Sequence, residues 1–384
     1  MRIYLDNAAS TPMDPEVLDH MVPVFRELNG NPSSVHHHGR QLRALIEKAR
    51  KTVAETLGAA PAEIFFTSGG TEADNMAIKG AVEGQGIKHV ISSKIEHHAV
   101  THTIENLEKE GRITVTWLDV DSKGNPDLEQ LDQVLAAQGP TLVSLMHGNN
   151  EIGTLLDLVK TGEICRKHGA LFHSDTVQTI TQERYNLSEQ PVDFITASAH
   201  KFYGPKGVGF LYVRSGVCIP SLICGGSQER NMRAGTENVP CIVGMAFALK
   251  KCYDNFDSKR AKLLSLKAHM RQRLENEVPG VSFNGEISPE TSMPTVLNVS
   301  FPGEGTESML LFNLDIAGIS ASGGSACTSG SVTGSHVLSG IGVSPERSAN
   351  SVRFSFGVDN TLEEIDLCID KLKEIIDIPV QAGT

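Results

Sequence analysis

The sequence predicts an α/β protein, with a large domain on a mostly parallel seven-stranded sheet and a smaller α+β domain beside it. Three observations carry this. The chain has 384 residues, more than one small core organises. From about residue 60 to 215, short apolar runs alternate with helical stretches, the pattern of a sheet covered on both faces. Beyond about residue 258 that alternation stops, and a long charged helical stretch leads into a different order of elements.

Seven runs read as strands of the large domain: 63–68, 88–92, 113–118, 141–147, 170–175, 192–196 and 207–213. Helices lie between them, among them 71–85 and 158–168, the latter ending in Lys-His-Gly, a C-terminal signature. The second part reads as a helix over 258–277, the strand PTVLNVSF, a helix, a Gly/Ser-rich stretch over 318–331, the strand SVRFSFG and an amphipathic helix over 361–375. The division expected is 16–258 for the large domain, and 1–15 with 259–384 for the small one, which carries a cysteine loop at about 318–335.

Composition narrows the function classes. Hydrophobic residues make up 40% and charged residues 21%, as in globular proteins that work in water. A net charge of -12 opposes direct, non-specific binding to nucleic acid or an anionic membrane. No apolar run is long enough to span a bilayer, and the N-terminus lacks the apolar core of a signal peptide. The seven cysteines are odd in number and form no C-x-x-C, which predicts free thiols and a cytoplasmic location. The run His36, His37, His38 has no carboxylate or cysteine at ligand spacing, so no metal site is expected.

Polar clusters fall where strands end: SGGTEAD, HGNNEIG, HSDTVQ and SAHK. In open α/β sheets, ligands collect at the carboxyl ends of the strands, so the four clusters predict one site. Lys201 lies on a Ser/Gly-rich turn just past a buried strand, a place where a lysine loses its proton and forms a Schiff base readily. Asp175 closes the strand ALFHSD, either as a helix N-cap or as a carboxylate against a pyridine nitrogen, and Gln178 follows one turn later. Gly69, Gly70 and Thr71 open a helix whose free N–H groups suit a phosphate, with Ser198 and His200 as further donors. His97, with His98 as competitor, offers a flat imidazole to stack on a ring or move a proton. These demands converge on pyridoxal phosphate.

A second constellation handles sulfur. Cys327 sits among small residues in ISASGGSACTSGSV, a composition that predicts a mobile loop and an accessible thiol. Arg353, in SVRFSFG, offers a bidentate grip on an amino-acid carboxylate. Asn150 serves either that carboxylate or the cofactor's phenolate oxygen.

The motifs YLDNAAST, GNPSS, TSGGTEADN, EHHAV, MHGNNEIG, HSDTVQ, SAHKFYGPKGVGFLYV, GGSQERNMRAGTENV, SGGSACTSG and SVRFSFG cover almost the whole chain. In them the sequence resembles the cysteine desulfurases of the NifS/IscS family, within the class-V group of fold-type I pyridoxal-phosphate enzymes. The resemblance implies conversion of L-cysteine to L-alanine, with the sulfur held as a persulfide on Cys327 for iron–sulfur assembly or tRNA thiolation. It implies Lys201 as the Schiff-base lysine, Asp175 at the pyridine nitrogen, Gln178 at the phenolate and His97 over the ring. Thr71, Ser198 and His200 would hold the phosphate, and Asn150 with Arg353 the substrate carboxylate. Thr236 would reach the neighbouring subunit's phosphate, so a homodimer with shared sites and a sulfur-acceptor protein are the implied partners. The alternatives are a selenocysteine lyase, another class-V aminotransferase, or a non-catalytic dimer that binds partners.

Overall fold

The computed structural model describes residues 2–302, 309–323 and 334–376. Cys327 therefore lies outside the described residues. The chain opens with a short strand, β1 (Ile3–Tyr4). Seven strands then build the large sheet: β2 (Ile64–Thr67), β3 (His89–Ser93), β4 (Thr114–Leu118), β5 (Thr141–Ser144), β6 (Leu171–Asp175), β7 (Phe194–Ser198) and β8 (Gly209–Val213). Their spatial order is β2-β8-β7-β6-β5-β3-β4. The pairings β4–β3, β3–β5, β5–β6 and β6–β7 are parallel, as the alternation of strands and helices predicts. β8 runs antiparallel to both neighbours. Its direction follows from the connection: residues 199–208 hold a turn of 3-10 helix and are too few for the crossover that a parallel strand needs.

The strands nearest the site are buried along their whole length, β5 through Thr141–Ser144, β7 through Phe194–Ser198 and β8 through Gly209–Val213. That burial explains their unbroken apolar character, because helices cover both faces. β5 stops three residues earlier than the 141–147 expectation. After Ser144 the chain turns into the loop that carries His147, Asn149 and Asn150, where Asn149 Oδ1 accepts the N–H groups of Glu151 and Ile152. Asn side chains stabilise turns in this way and end a strand.

Four more strands belong to the second core: β9 (Ser282–Asn284), β10 (Val296–Ser300), β11 (Ile319–Ser320) and β12 (Ser351–Ser355). β9, β10 and β12 form an antiparallel sheet, while β1 pairs in parallel with β11. Ile3 and Leu5 are buried in one cluster with Leu263, Leu297, Phe354 and Ile369, so the N-terminal segment packs with the chain's last third. It continues along β12: Ser355 N–H donates to Leu5 O at 2.7 Å, and Asn7 Nδ2 donates to Ser355 O at 2.9 Å. This docking carries residues 6–10 to the carboxyl edge of the large sheet.

Candidate active site

A cavity of about 490 Å³ opens at the carboxyl ends of β2, β5, β6 and β7. On one side it meets the N-terminus of the helix Gly70–Gly84. Gly69 precedes that helix at φ +154° and supplies no capping side chain, which leaves the first-turn N–H groups to a ligand. The next position is tight as well, because a Cβ on Gly70 would meet Val177 Cγ2 at 2.6 Å. Free N–H groups and the helix dipole there favour an anion. Ser198 lies beside Gly69 and Gly70, and His200 lines the same cavity.

Asp175 ends β6 at the cavity floor and accepts the N–H of Val177 at 2.9 Å. One ligand atom each from Asp175, His97 and Asp74 lie within 4.8 Å of one another. Burial, then Asp74, raises the Asp175 pKa to about 6, and His97 pulls it back. His97 caps the helix His98–Lys109: its Nδ1 accepts the N–H of Ala99 at 3.1 Å. Accepting at Nδ1 leaves Nε2 as the protonated nitrogen of the neutral ring. Burial also lowers the pKa of His97, against the pull of Asp175, so the imidazole is neutral. His200 is pushed down to about 4 by burial, with Lys201 and Lys206 adding to the shift.

Lys201 follows β7 on a 3-10 turn. Its Nζ donates to the carbonyl oxygens of Ala8 at 2.5 Å and Ala9 at 3.0 Å, and Gln178 Nε2 donates to the same Ala8 oxygen at 2.9 Å. The N-terminal segment thus sets the far wall. Arg353 of β12 closes it, with Nη1 on Asn150 O at 2.8 Å and Nη2 on Asp6 Oδ1 at 2.9 Å. Its Nε is buried and has no partner among the described residues.

The class-V aminotransferase family model matches residues 3–368. The chain belongs to the class-V aminotransferase family. Within it, the chain is 44% identical to the putative cysteine desulfurase IscS 1 of Bacillus subtilis (strain 168), over 98% of both chains. A solved NifS-like protein superposes with a TM-score of 0.90 at 38% identity, covering 98% of this chain and 100% of that one. Another solved structure, SspA in complex with cysteine, matches with a TM-score of 0.79 at 34% identity over 93% and 99% of the two chains. The family's relatives are pyridoxal-phosphate enzymes, and the donor set fits that cofactor: an anion cradle, a lysine, a buried carboxylate and a neutral imidazole around one cavity.

Of the residues singled out in the sequence, Gly70, Thr71, His97, Asn150, Asp175, Gln178, Ser198, His200, Lys201 and Arg353 all line this cavity. Thr236 is exposed and does not line it. The sequence reading missed Ala8, Ala9, Ser10, Glu72, Asp74 and Lys206, which also line it. Backbone acceptors such as the Ala8 carbonyl leave no side-chain signature. Asp74 did leave one: it shares a helix face with Ala77, Ile78 and Ala81, all buried, where a carboxylate is out of place. Glu72 is identifiable only through its partner, since Arg233 Nε donates to it at 2.8 Å across 161 residues.

Proposed function

We propose that this chain is a pyridoxal-phosphate-dependent cysteine desulfurase in which Lys201 moves the substrate's Cα proton and Cys327 takes the sulfur. The observation that carries this reading is one cavity uniting Lys201, Asp175, His97 and the open helix N-terminus at Gly70. Bound pyridoxal phosphate supplies the electron sink that makes the Cα proton acidic. Asp175 would keep the ring nitrogen protonated, and the neutral His97 would face the ring without adding charge there. Gly70, Thr71, Ser198 and His200 would hold the phosphate, and Gln178 would donate to the phenolate oxygen.

L-cysteine enters with its carboxylate toward Arg353 and Asn150, which fixes the Cα–H bond against Lys201 Nζ. Lys201 takes that proton and returns it to carbon as the reaction proceeds. The thiolate of Cys327 attacks the substrate sulfur: an S–S bond forms, the substrate's C–S bond breaks, and its electron pair stays with the carbon skeleton. Protonation of that skeleton yields alanine, and the persulfide passes to an acceptor thiol by exchange.

The wider setting belongs to the same proposal. The working unit is a homodimer in the cytoplasm, with Thr236 reaching the neighbour's phosphate; its exposure outside its own cavity supports this. The acceptor is a protein of iron–sulfur assembly or tRNA thiolation. No helix among the described residues is long and apolar enough to cross a membrane. The two-domain division, 16–258 against 1–15 with 259–384, is supported by the packing of Ile3 and Leu5 with Leu263 and Phe354.

The test is alanine production from L-cysteine, with a thiol reductant, by cofactor-loaded wild type and Cys327→Ser. Alanine from the wild type alone supports the proposal. Equal alanine from both overturns the role of Cys327, and none from a wild type that shows the cofactor's absorption band overturns the substrate.

A further inference from the structure

The cavity lining includes a buried group that the proposed chemistry does not use. Asp74 sits in the first turns of the helix Gly70–Gly84 and is 1% exposed. Among the described residues its Oδ1 has no hydrogen-bond partner, nor has His173 Nε2, 3.5 Å away on β6. His173 is committed on its other side, where Nδ1 meets Ser144 Oγ at 2.8 Å. An oxygen of Asp74 lies within 4.8 Å of one from Asp175.

Two carboxylates this close and this buried cannot both carry full charge at low cost. Desolvation and mutual repulsion act together, and such a pair titrates as a unit. The other titratable groups around them relieve it only in part, for His97 and His173 draw the Asp175 pKa down without outweighing burial and Asp74. Burial holds His173 near 4 and so uncharged. His97 is neutral, and Glu96 is itself pushed up to about 8 by burial and by both aspartates. Tyr185 is buried and raised, hence also neutral. Lys201, a cation near His97, donates to the Ala8 and Ala9 carbonyls. Burial pushes Asp74 itself up to about 7, against the Thr196 hydroxyl, which draws it down, and so above Asp175 at about 6.

We propose that Asp74 is a positioning residue that shares one proton with Asp175, so that the pair meets the cofactor's ring nitrogen as a single negative charge. This rests on the cofactor reading above and deepens it. With the ring bound, Asp175 is the carboxylate beside the protonated nitrogen and Asp74 keeps the proton. As pH rises, Asp74 ionises, and the second charge holds the ring nitrogen protonated to higher pH.

The experiment is a pH titration of the pyridine nitrogen by 15N NMR, with labelled pyridoxal phosphate in wild type and Asp74→Asn. Asparagine copies the shape of the protonated acid and never ionises. The midpoint for losing the ring proton should fall in the variant by about one pH unit, a tenfold change in that equilibrium. Superimposable curves with the cofactor bound in both proteins would overturn the shared proton alone. A wild type that binds no cofactor would overturn both readings. Should Asp74→Asn not fold, infrared spectra of wild-type holoenzyme decide the point. A protonated-carboxyl band that shifts with 13C-aspartate and vanishes on alkalisation supports the pair, since Glu96 is blind to that label; no such band overturns it.

Discussion

The cavity has two walls that work by different physics. One is the carboxyl edge of the large sheet, where Asp175 and Ser198 end buried strands and Asp74 backs them from the neighbouring helix. The other is the N-terminal segment with β12, where Lys201 and Gln178 meet backbone oxygens and Arg353 bridges Asp6 to Asn150. On the first wall, burial raises carboxyl pKa values and stores electrostatic free energy against the cofactor. On the second wall charge is paired, Arg353 with Asp6, and the contacts fix distance. Reactivity is thus built into strand ends, while alignment is assembled from parts of the chain that meet only after folding.

The largest effect separates the walls through Lys201, which touches both. Lys201→Ala should lower alanine formation by about 10⁴-fold, the upper range for a lost acid–base group. Added alkylamines of matching size should restore part of it, and a loss below tenfold would remove Lys201 from proton transfer. The sheet wall is next. The raised pKa of Asp74 means that the folded protein binds its proton more tightly than the unfolded chain does. Apoprotein stability from this group is therefore full at low pH and declines as pH rises from about 4 through about 7. The cost to the folded state is on the order of 4 kcal/mol at pH 8, where the charge itself is buried, and on the order of 2 kcal/mol at pH 5, where it is the cost of taking up the proton. Asp74→Asn should raise the urea midpoint of the apoprotein more at pH 8 than at pH 5, whereas an equal shift at both would mean that Asp74 carries no such penalty.

The same contrast governs what could be read before the structure. The strands and their mostly parallel direction were accessible because buried parallel strands are unbroken apolar runs, and the polar residues that end or follow them, Asp175 and Lys201, stand out against those runs. Even the reversed β8 is implied by the ten-residue length of its connection. The alignment wall was not accessible. Ala8 and Ala9 contribute carbonyl oxygens, which every residue has, and Asp6 finds Arg353 across 347 residues. Asp74 lay between these cases: its place on an apolar helix face marks it, but only proximity to Asp175 gives it a meaning.

The alignment wall is probed last, and most gently, at Arg353. A guanidinium spans the Asn150 carbonyl and the Asp6 carboxylate while keeping further donors for a substrate carboxylate. A lysine ammonium is a point charge on a flexible stem and cannot hold both anchors and the substrate in one plane. Arg353→Lys should therefore raise KM for L-cysteine about tenfold, or 1.4 kcal/mol, with kcat changed less than about threefold. Asp6→Asn keeps an acceptor oxygen for Arg353 and removes only the charge, so its effect on KM should be smaller, about threefold. If either change lowered kcat and left KM alone, Arg353 would act on the reacting bonds themselves. The division between a wall that reacts and a wall that aligns would then fail at the residue where it is drawn.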